Sequence, residues 1–484
     1  MRLPDVSQTA SDVLSASRRA IGDFASPTIR LGVTGLSRAG KTVFITALVR
    51  NLLEAHRLPA FPIARQGRLR RAYLSEQPDL NIPRFPYEAN VEVLTADPPA
   101  WPAGTERMSQ LRLTLEVVPQ STWGQIVGAD QVHVDIVDYP GEWLLDLAIM
   151  DQSFGDWSAE QFTRLQRADH RAIASSFLAA INALAGPGPH DEPKIEAAAT
   201  AFRDYLHAAR ALPPGLATLG PGRFLMPGDL AGSPMLTFAP LPPARADDRF
   251  DDTLRQRLSR RFEGYKDKVV VPFFRVQFAK LDRQIVLVDA LGALNGGKRG
   301  LDDLREALTA SLRAFRPGLR SWPDWLFGRA KIDKILYAAT KADHIPQTSH
   351  ARLGAILETL TAEASERAAF EGAKVGVQAM AAIRATSETV ATVDGADAAC
   401  ITGTPAPGEQ LNSETFDGRT ETALFPGDLP ADPRTAIRSA EDGTFDDLTF
   451  LRFLPPDLAT SPSEPWPHGH LDKVLAFLLA DKLP

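Results

Sequence analysis

A run rich in β-branched residues, Thr28-Ile29-Arg30-Leu31-Gly32-Val33-Thr34, stops at Gly35-Leu36-Ser37-Arg38-Ala39-Gly40-Lys41-Thr42, and an amphipathic segment follows at once. Apolar residues at Ile45, Leu48, Val49, Leu52 and Leu53 keep the i, i+3, i+4, i+7, i+8 spacing of one helical face. The chain therefore reads strand, G-x-x-x-x-G-K-[ST], helix, which few architectures other than a phosphate-binding α/β sheet accommodate. Glycines let backbone N–H groups wrap a phosphate, and the helix turns its positive end towards the anion. Lys41 is the expected contact to the β- and γ-phosphates and the Thr42 hydroxyl the expected Mg²⁺ ligand. Residues Gly35 to Thr42, with Val43 in the first helical turn, form the expected phosphate cradle.

Composition narrows the alternatives. The 484 residues carry 53 Lys and Arg against 60 Asp and Glu, a formal charge of −7 that leaves no basic footprint for general nucleic-acid binding. The one cysteine, Cys400, excludes an internal disulfide and any cysteine-clustered metal site. A reducing cytosol is the expected compartment, with Cys400 a small buried hydrophobe. Residues 1–27 show no signal-peptide apolar region, and Ile173–Ala185 and Val474–Ala480 fall short of the ~20 residues a spanning helix needs.

A switch segment is expected where a strand ends in D-x-x-G beside the phosphate loop. There the Asp can hold Mg²⁺ through a water, and the Gly N–H can meet the γ-phosphate. Three copies start at Asp138, Asp229 and Asp289. Asp229 follows no strand. Asp289 ends the strand Ile285-Val286-Leu287-Val288 and competes directly. Chain order favours Asp138 and Gly141, because Gln110–Val118 and Val132–Asp138 read as an antiparallel hairpin leading into Tyr139-Pro140-Gly141-Glu142. Asp289 is then a capping or loop carboxylate.

Downstream, the apolar strand Lys334–Ala339 ends in Thr340-Lys341-Ala342-Asp343. Asp343 can accept two hydrogen bonds from guanine N1–H and N2–H₂, while the Lys341 stem covers the base. Adenine would leave buried groups unpaired, at about 1–3 kcal/mol each. The alternative is a helix-capping Asp343 beside a solvated Lys341. After the next strand, expected near 378–385, a backbone N–H of Ala385 or Thr386 is placed to meet guanine O6.

Between these motifs lies a helical block, residues 151–266, with 3.6-residue rhythms through Phe162 to Leu184, Ile195 to Ala209 and Leu254 to Tyr265. The expected organisation is an N-terminal segment (1–27), a first core part (28–150) with an enlarged switch connector (57–108), and the helical insertion (151–266). A second core part (267–388), a strand-and-loop extension (389–468) and a closing helix (469–484) follow. The connector shows no clear periodicity and reads as either a functional loop or a poorly ordered segment.

With these motifs in place, the chain resembles the YcjX-like family of bacterial P-loop GTPases. The resemblance rests on Val33–Thr42, Val137–Leu147, Arg283–Asp289 and the closing Leu471–Leu483. It implies a Ras-like nucleotide-binding core of α/β class with a helical insertion, and Mg²⁺-dependent turnover of GTP to GDP. It also implies a link to bacterial stress responses and a protein partner at the inner membrane. Members are often labelled ATPases, whereas Thr340–Asp343 argues for GTP.

Several positions depart from the Ras-like pattern. Glu142 stands where a glutamine is usual, and either orients the attacking water or is an acid opening a helix. Arg38 either neutralises transition-state charge or makes a surface ion pair. The remaining Mg²⁺ ligand is expected from Thr105, with Thr95 the alternative. Arg65, Arg68, Arg70 and Arg71 form either a docking patch for an acidic partner or lipid headgroups, or a solvated helix face. The helical block is expected to offer any internal arginine, with Arg164, Arg167 and Arg171 as candidates. His133 and His170 have no neighbours at ligand spacing and read as structural. Three functions remain in view: a slow GTP-hydrolysing switch, a guanine-nucleotide-binding scaffold that barely hydrolyses, and a phosphate-loop ATPase or small-molecule kinase.

Overall fold

The computed structural model describes residues 26–35, 39–54, 58–104, 107–120, 130–185, 191–212, 220–243, 250, 252–314, 332–370, 372–393, 395–411, 414–444, 450–458 and 465–484. Among the described residues seven strands build the central sheet: β1 (Thr28–Gly35), β2 (Leu69–Ser75), β3 (Ser109–Val117), β4 (Asp130–Asp138), β5 (Arg283–Val288), β6 (Lys334–Ala339) and β7 (Lys374–Ala379). Their order is β2-β3-β4-β1-β5-β6-β7. β1 pairs parallel with β4 on one side and β5 on the other, and β5, β6 and β7 continue in parallel. Only β3 runs antiparallel to β4, which is the expected hairpin, and β2 adds antiparallel to β3.

Alternation along the strands divides the interior into two layers. Ile285 and Leu287 of β5, with Ile29, Leu31 and Val33 of β1, face α1 (Lys41–Leu53). Val286 and Val288 face the opposite layer, whose core runs without a break into the helical insertion. α2 (Tyr87–Leu94) packs beside α1 in the first layer. The insertion contains α3 (Phe154–Arg164), α4 (Glu192–Ala211), α5 (Gly222–Leu225) and α6 (Asp252–Tyr265). Trp157 of α3 anchors it, stacked on Phe262 at 4.9 Å and set edge-on to Phe202 at 5.8 Å. α7 (Gly297–Ala314) and α8 (Gln347–Phe370) complete the second layer, while α9 (Leu471–Leu479) closes the first. Beyond β7, strands β8 (Ser387–Val393) and β9 (Ala396–Gly403) form a small sheet with Thr422–Leu424. Cys400 is buried there. No helix among the described residues is long and apolar enough to cross a membrane.

Some local expectations change. The switch connector is not one long loop: it contains β2 and α2. The arginine cluster is not a helix face. Arg65 ends a single turn, Pro62–Arg65, and Arg70 and Arg71 lie on β2. Arg68 Nε donates to the Val118 carbonyl at 2.8 Å. The strand expected near 378–385 ends at Ala379, so Ala385 and Thr386 lie beyond it. A helix, Pro433–Asp442, sits inside the strand-and-loop extension.

The insertion is stapled to the segment that follows β4. Gly222 packs so tightly that a Cβ there would stand 1.8 Å from the Glu142 carbonyl oxygen, which only glycine avoids. Alongside, the buried Asp146 carboxylate accepts from Gly222 N–H (2.6 Å), Arg223 N–H (2.9 Å) and the Tyr265 hydroxyl (2.9 Å). Burial pushes this carboxyl up to about 6 even though all three donors favour its charge. Asp146→Ala should therefore cost about 3–5 kcal/mol, since three buried donors lose their acceptor. Denaturant unfolding checks this, and a loss under about 1 kcal/mol would contradict the staple.

Candidate nucleotide site

Parallel pairing carries the ends of β1, β4, β5 and β6 to the same edge of the sheet. Gly35, Asp138, Asp289 and Thr340 meet there because each closes or follows one of these strands. A cavity of about 510 Å³ opens along this edge. Its walls include Gly35, Ala39, Gly40, Lys41, Thr42 and Val43 at one end, and Thr340, Lys341, Asp343 and Ala385 at the other.

At the first end, Gly40 has a φ of 78° and leads into α1, whose first-turn N–H groups have no partner within the helix. Lys41 Nζ lies 2.6 Å from Asp138 Oδ1, in a pair whose side chains are only 9% and 2% exposed. The Thr42 hydroxyl donates to the Ala103 carbonyl at 3.1 Å, so the switch connector reaches the phosphate loop. Gly141 seats directly on β1: a Cβ there would stand 2.4 Å from the Gly35 carbonyl oxygen. Thr42 and Asp138 are hard oxygen donors, the chemistry Mg²⁺ prefers, and that ion takes its other ligands from phosphate and water. Among the described residues no group of three or more His, Cys, Asp or Glu gathers at metal-holding distance, and a phosphate-borne Mg²⁺ requires none. Leu36, Ser37, Arg38 and Thr105 lie outside the described residues. The alternative Thr95 closes α2, where its hydroxyl donates to the Val91 carbonyl at 2.9 Å.

At the other end, the Ala385 N–H donates to Asp343 Oδ2 at 2.7 Å, and the Thr386 hydroxyl donates to the Asp343 carbonyl oxygen. The loop after β7 is thus tied to the Thr340–Asp343 turn. Lys341 adopts a left-handed φ of 59°, a conformation that costs a non-glycine residue about 1 kcal/mol or more. Its ammonium pairs with Asp289, whose other oxygen accepts the Gly292 N–H at 2.9 Å and caps the helix Ala290–Asn295. Burial opposes the charge on Asp289, but Lys341 and that N–H outweigh it and hold the carboxyl below its ordinary range. His344 is buried against Phe453, and burial lowers its pKa.

The cavity also holds residues that periodicity does not reveal. Trp101, Pro102 and Gly104 come from the switch connector, and Arg452 and Phe453 from the extension. The Trp101 indole donates to the Phe453 carbonyl at 2.7 Å, joining the two across the opening. Arg210 of α4 lines the cavity and pairs with Glu142. The arginines expected from the helical block lie elsewhere. Arg164 pairs with Glu160 and Glu306, Arg167 pairs with Asp169, and none of Arg164, Arg167 and Arg171 lines this cavity. His133 and His170 make internal hydrogen bonds, to Thr114 and Tyr205.

A mostly parallel sheet in this order, with a G-x-x-x-x-G-K-[ST] segment after its central strand, defines a Ras-like P-loop protein. The chain belongs to the YcjX-like family, DUF463, which it matches over residues 29–483. It is 37% identical over 469 residues to "Ras-like GTPase YcjX" of Escherichia coli (strain K12), covering 94% of this chain and 96% of that protein. It is 34% identical over 477 residues to "Ras-like GTPase YcjX" of Shewanella oneidensis (strain MR-1), covering 94% of each.

The remaining D-x-x-G aspartates differ in what they hold. Asp289→Ala should cost about 2–4 kcal/mol, through a lost cap and an unpartnered Lys341. Asp229, 78% exposed in its pair with Arg223, should cost under about 1 kcal/mol when changed to Ala. Paired unfolding curves check both values, and equal losses would contradict the assignment.

Proposed function

We propose that this chain binds GTP with Mg²⁺ and hydrolyses it to GDP and phosphate, working as a slow molecular switch. The observation that carries the reading is the pairing of two chemistries in one cavity. Lys41 and the start of α1 sit at one end, and the Asp343 carboxylate, tied to the Ala385 N–H, sits at the other. β5 lies between β1 and β6 in the sheet, so the two groups stand at neighbouring strand ends where a nucleotide could set its phosphates at the first and its base at the second. The names of the relatives from E. coli and S. oneidensis support the same substrate.

In this reading Lys41 leaves its pair with Asp138 for the β- and γ-phosphate oxygens, while the N–H groups of the first turn of α1 hold the β-phosphate. Thr42 and Asp138 would hold Mg²⁺, which would neutralise phosphate charge when bound. The Gly141 N–H contacts the γ-phosphate. Because its Cα rests against Gly35, any shift of the phosphate loop is passed to the Glu142–Leu147 segment and through Asp146 to the insertion. Catalysis is electrostatic and positional, so turnover is slow, on the order of 10⁻² s⁻¹ or below. A role in a bacterial stress response, with a partner at the inner membrane, rests on the family resemblance, and a cytoplasmic location rests on the single cysteine.

Competition binding tests the base assignment. ATP should displace a labelled guanine nucleotide about 100-fold less well than GTP, given the cost of unpaired buried groups. Asp343→Asn should shift preference towards xanthine nucleotides. Equal displacement by ATP and GTP would overturn guanine selection and favour an ATPase.

A further inference from the structure

Glu142 follows the switch glycine and lines the same cavity as Lys41 and Thr42, where the reading above puts the phosphates. A carboxylate in that position opposes the binding of a polyanion unless a cation accompanies it. The cation comes from the insertion. Arg210, in the last turn of α4, donates from Nη2 to Glu142 Oε1, and its Nη1 contacts Met226 Sδ at 3.3 Å. Both side chains are largely buried, at 21% and 10% exposure.

Arg210 is carried by a rigid element. Phe202, Tyr205, Leu206 and Ala209 of α4 are core residues, and Arg203 donates to the Phe224 carbonyl at 3.1 Å. α5 is in turn stapled beneath Glu142 by Gly222 and Asp146. A guanidinium has five N–H donors in a planar fork, and among the described residues Arg210 uses only two nitrogens. The remaining donors belong to a side chain that lines the same cavity as Lys41 and Thr42.

We propose that Arg210 is the catalytic arginine of GTP hydrolysis, supplied from within the chain by the helical insertion. The proposal rests on reading the site as that of a GTPase. Glu142 holds the guanidinium at the cavity wall, and its free N–H groups meet the γ-phosphate oxygens in the transition state. Water oxygen forms the new bond to the γ-phosphorus, and the bond from that phosphorus to the β–γ bridging oxygen breaks. The bridging oxygen leaves on GDP with the electron pair. The protons of the water pass to inorganic phosphate and solvent. Arg210 neutralises the charge that builds on the γ- and bridging oxygens, the part that a second protein's arginine plays in switches that lack their own.

Single-turnover GTP hydrolysis by the full chain tests this, with GDP affinity and the binding of GDP plus aluminium fluoride measured on the same samples. Arg210→Gln should slow hydrolysis about 100-fold or more and abolish the aluminium fluoride complex, with GDP affinity within about threefold of the unaltered chain. The double variant Arg210→Gln, Glu142→Gln should stay slow. A rate within about threefold of the unaltered chain, in either variant, overturns the proposal; recovery in the double variant alone would make Arg210 only a counter-ion for Glu142. Should Arg210→Gln lose GDP binding, Arg210→Lys replaces it: a rate at least about tenfold down supports the guanidinium role, and an unchanged rate overturns it. If the unaltered chain itself turns over no GTP, the GTPase reading fails and the proposal with it. If that chain is active and the variants equal it, only the role of Arg210 falls.

Discussion

β1 is hydrogen-bonded in parallel to β4 on one side and β5 on the other, and the rest of the molecule follows from that arrangement. Parallel strands finish at the same edge, so each loop that leaves the sheet there enters one shared space. Gly35, Asp138, Asp289 and Thr340 lie far apart in the chain and meet only for this reason. The same pairing has a cost, because a parallel central sheet needs cover on both faces. α1 and α9 provide it on one side, and the insertion with α7 and α8 on the other. The insertion is thus part of the sheet's own core.

That shared core sets the two halves directly against each other. Gly141 rests on Gly35, and Gly222 rests on Glu142, each too close for a side chain. Between them Asp146 gathers donors from α5 and α6. Gly35 at the end of β1, the turn after β4 and the insertion therefore stack directly on one another, and close-packed cores shift between discrete arrangements rather than deforming smoothly. The far edge is held in another way. Arg283, fully buried, is satisfied by the Leu478 carbonyl, Asp333 and Asp481, which locks the closing helix to β5 and β6.

What the sequence made legible is what local chemistry dictates. Gly35–Thr42, the hairpin into Asp138 and the strand before Thr340 each carry a period and a motif, and the sheet is built from them. β2 was hidden because Leu69–Ser75 lies at the sheet's edge with arginines on it, so it lacks alternation. Ala385 was placed beside Asp343 by motif order, although its strand ends six residues earlier than expected. Arg210 escaped notice because periodicity marks the apolar face of α4, and one arginine off that face looks like any solvated charge. Trp101, Arg452 and Phe453 sit on connections that only the folded chain brings together, with no spacing to betray them. The departure at Glu142 was visible, but its partner was not.

The central claim is that one sheet edge makes a single guanine-nucleotide site, with phosphates at Lys41 and the base at Asp343. A crystal structure of the full chain with GDP and Mg²⁺ tests it most directly. The β-phosphate is expected within hydrogen-bond distance of Lys41 Nζ, with guanine N1 and N2 on the Asp343 carboxylate. A base lying away from Asp343, or phosphates away from Lys41, would contradict it.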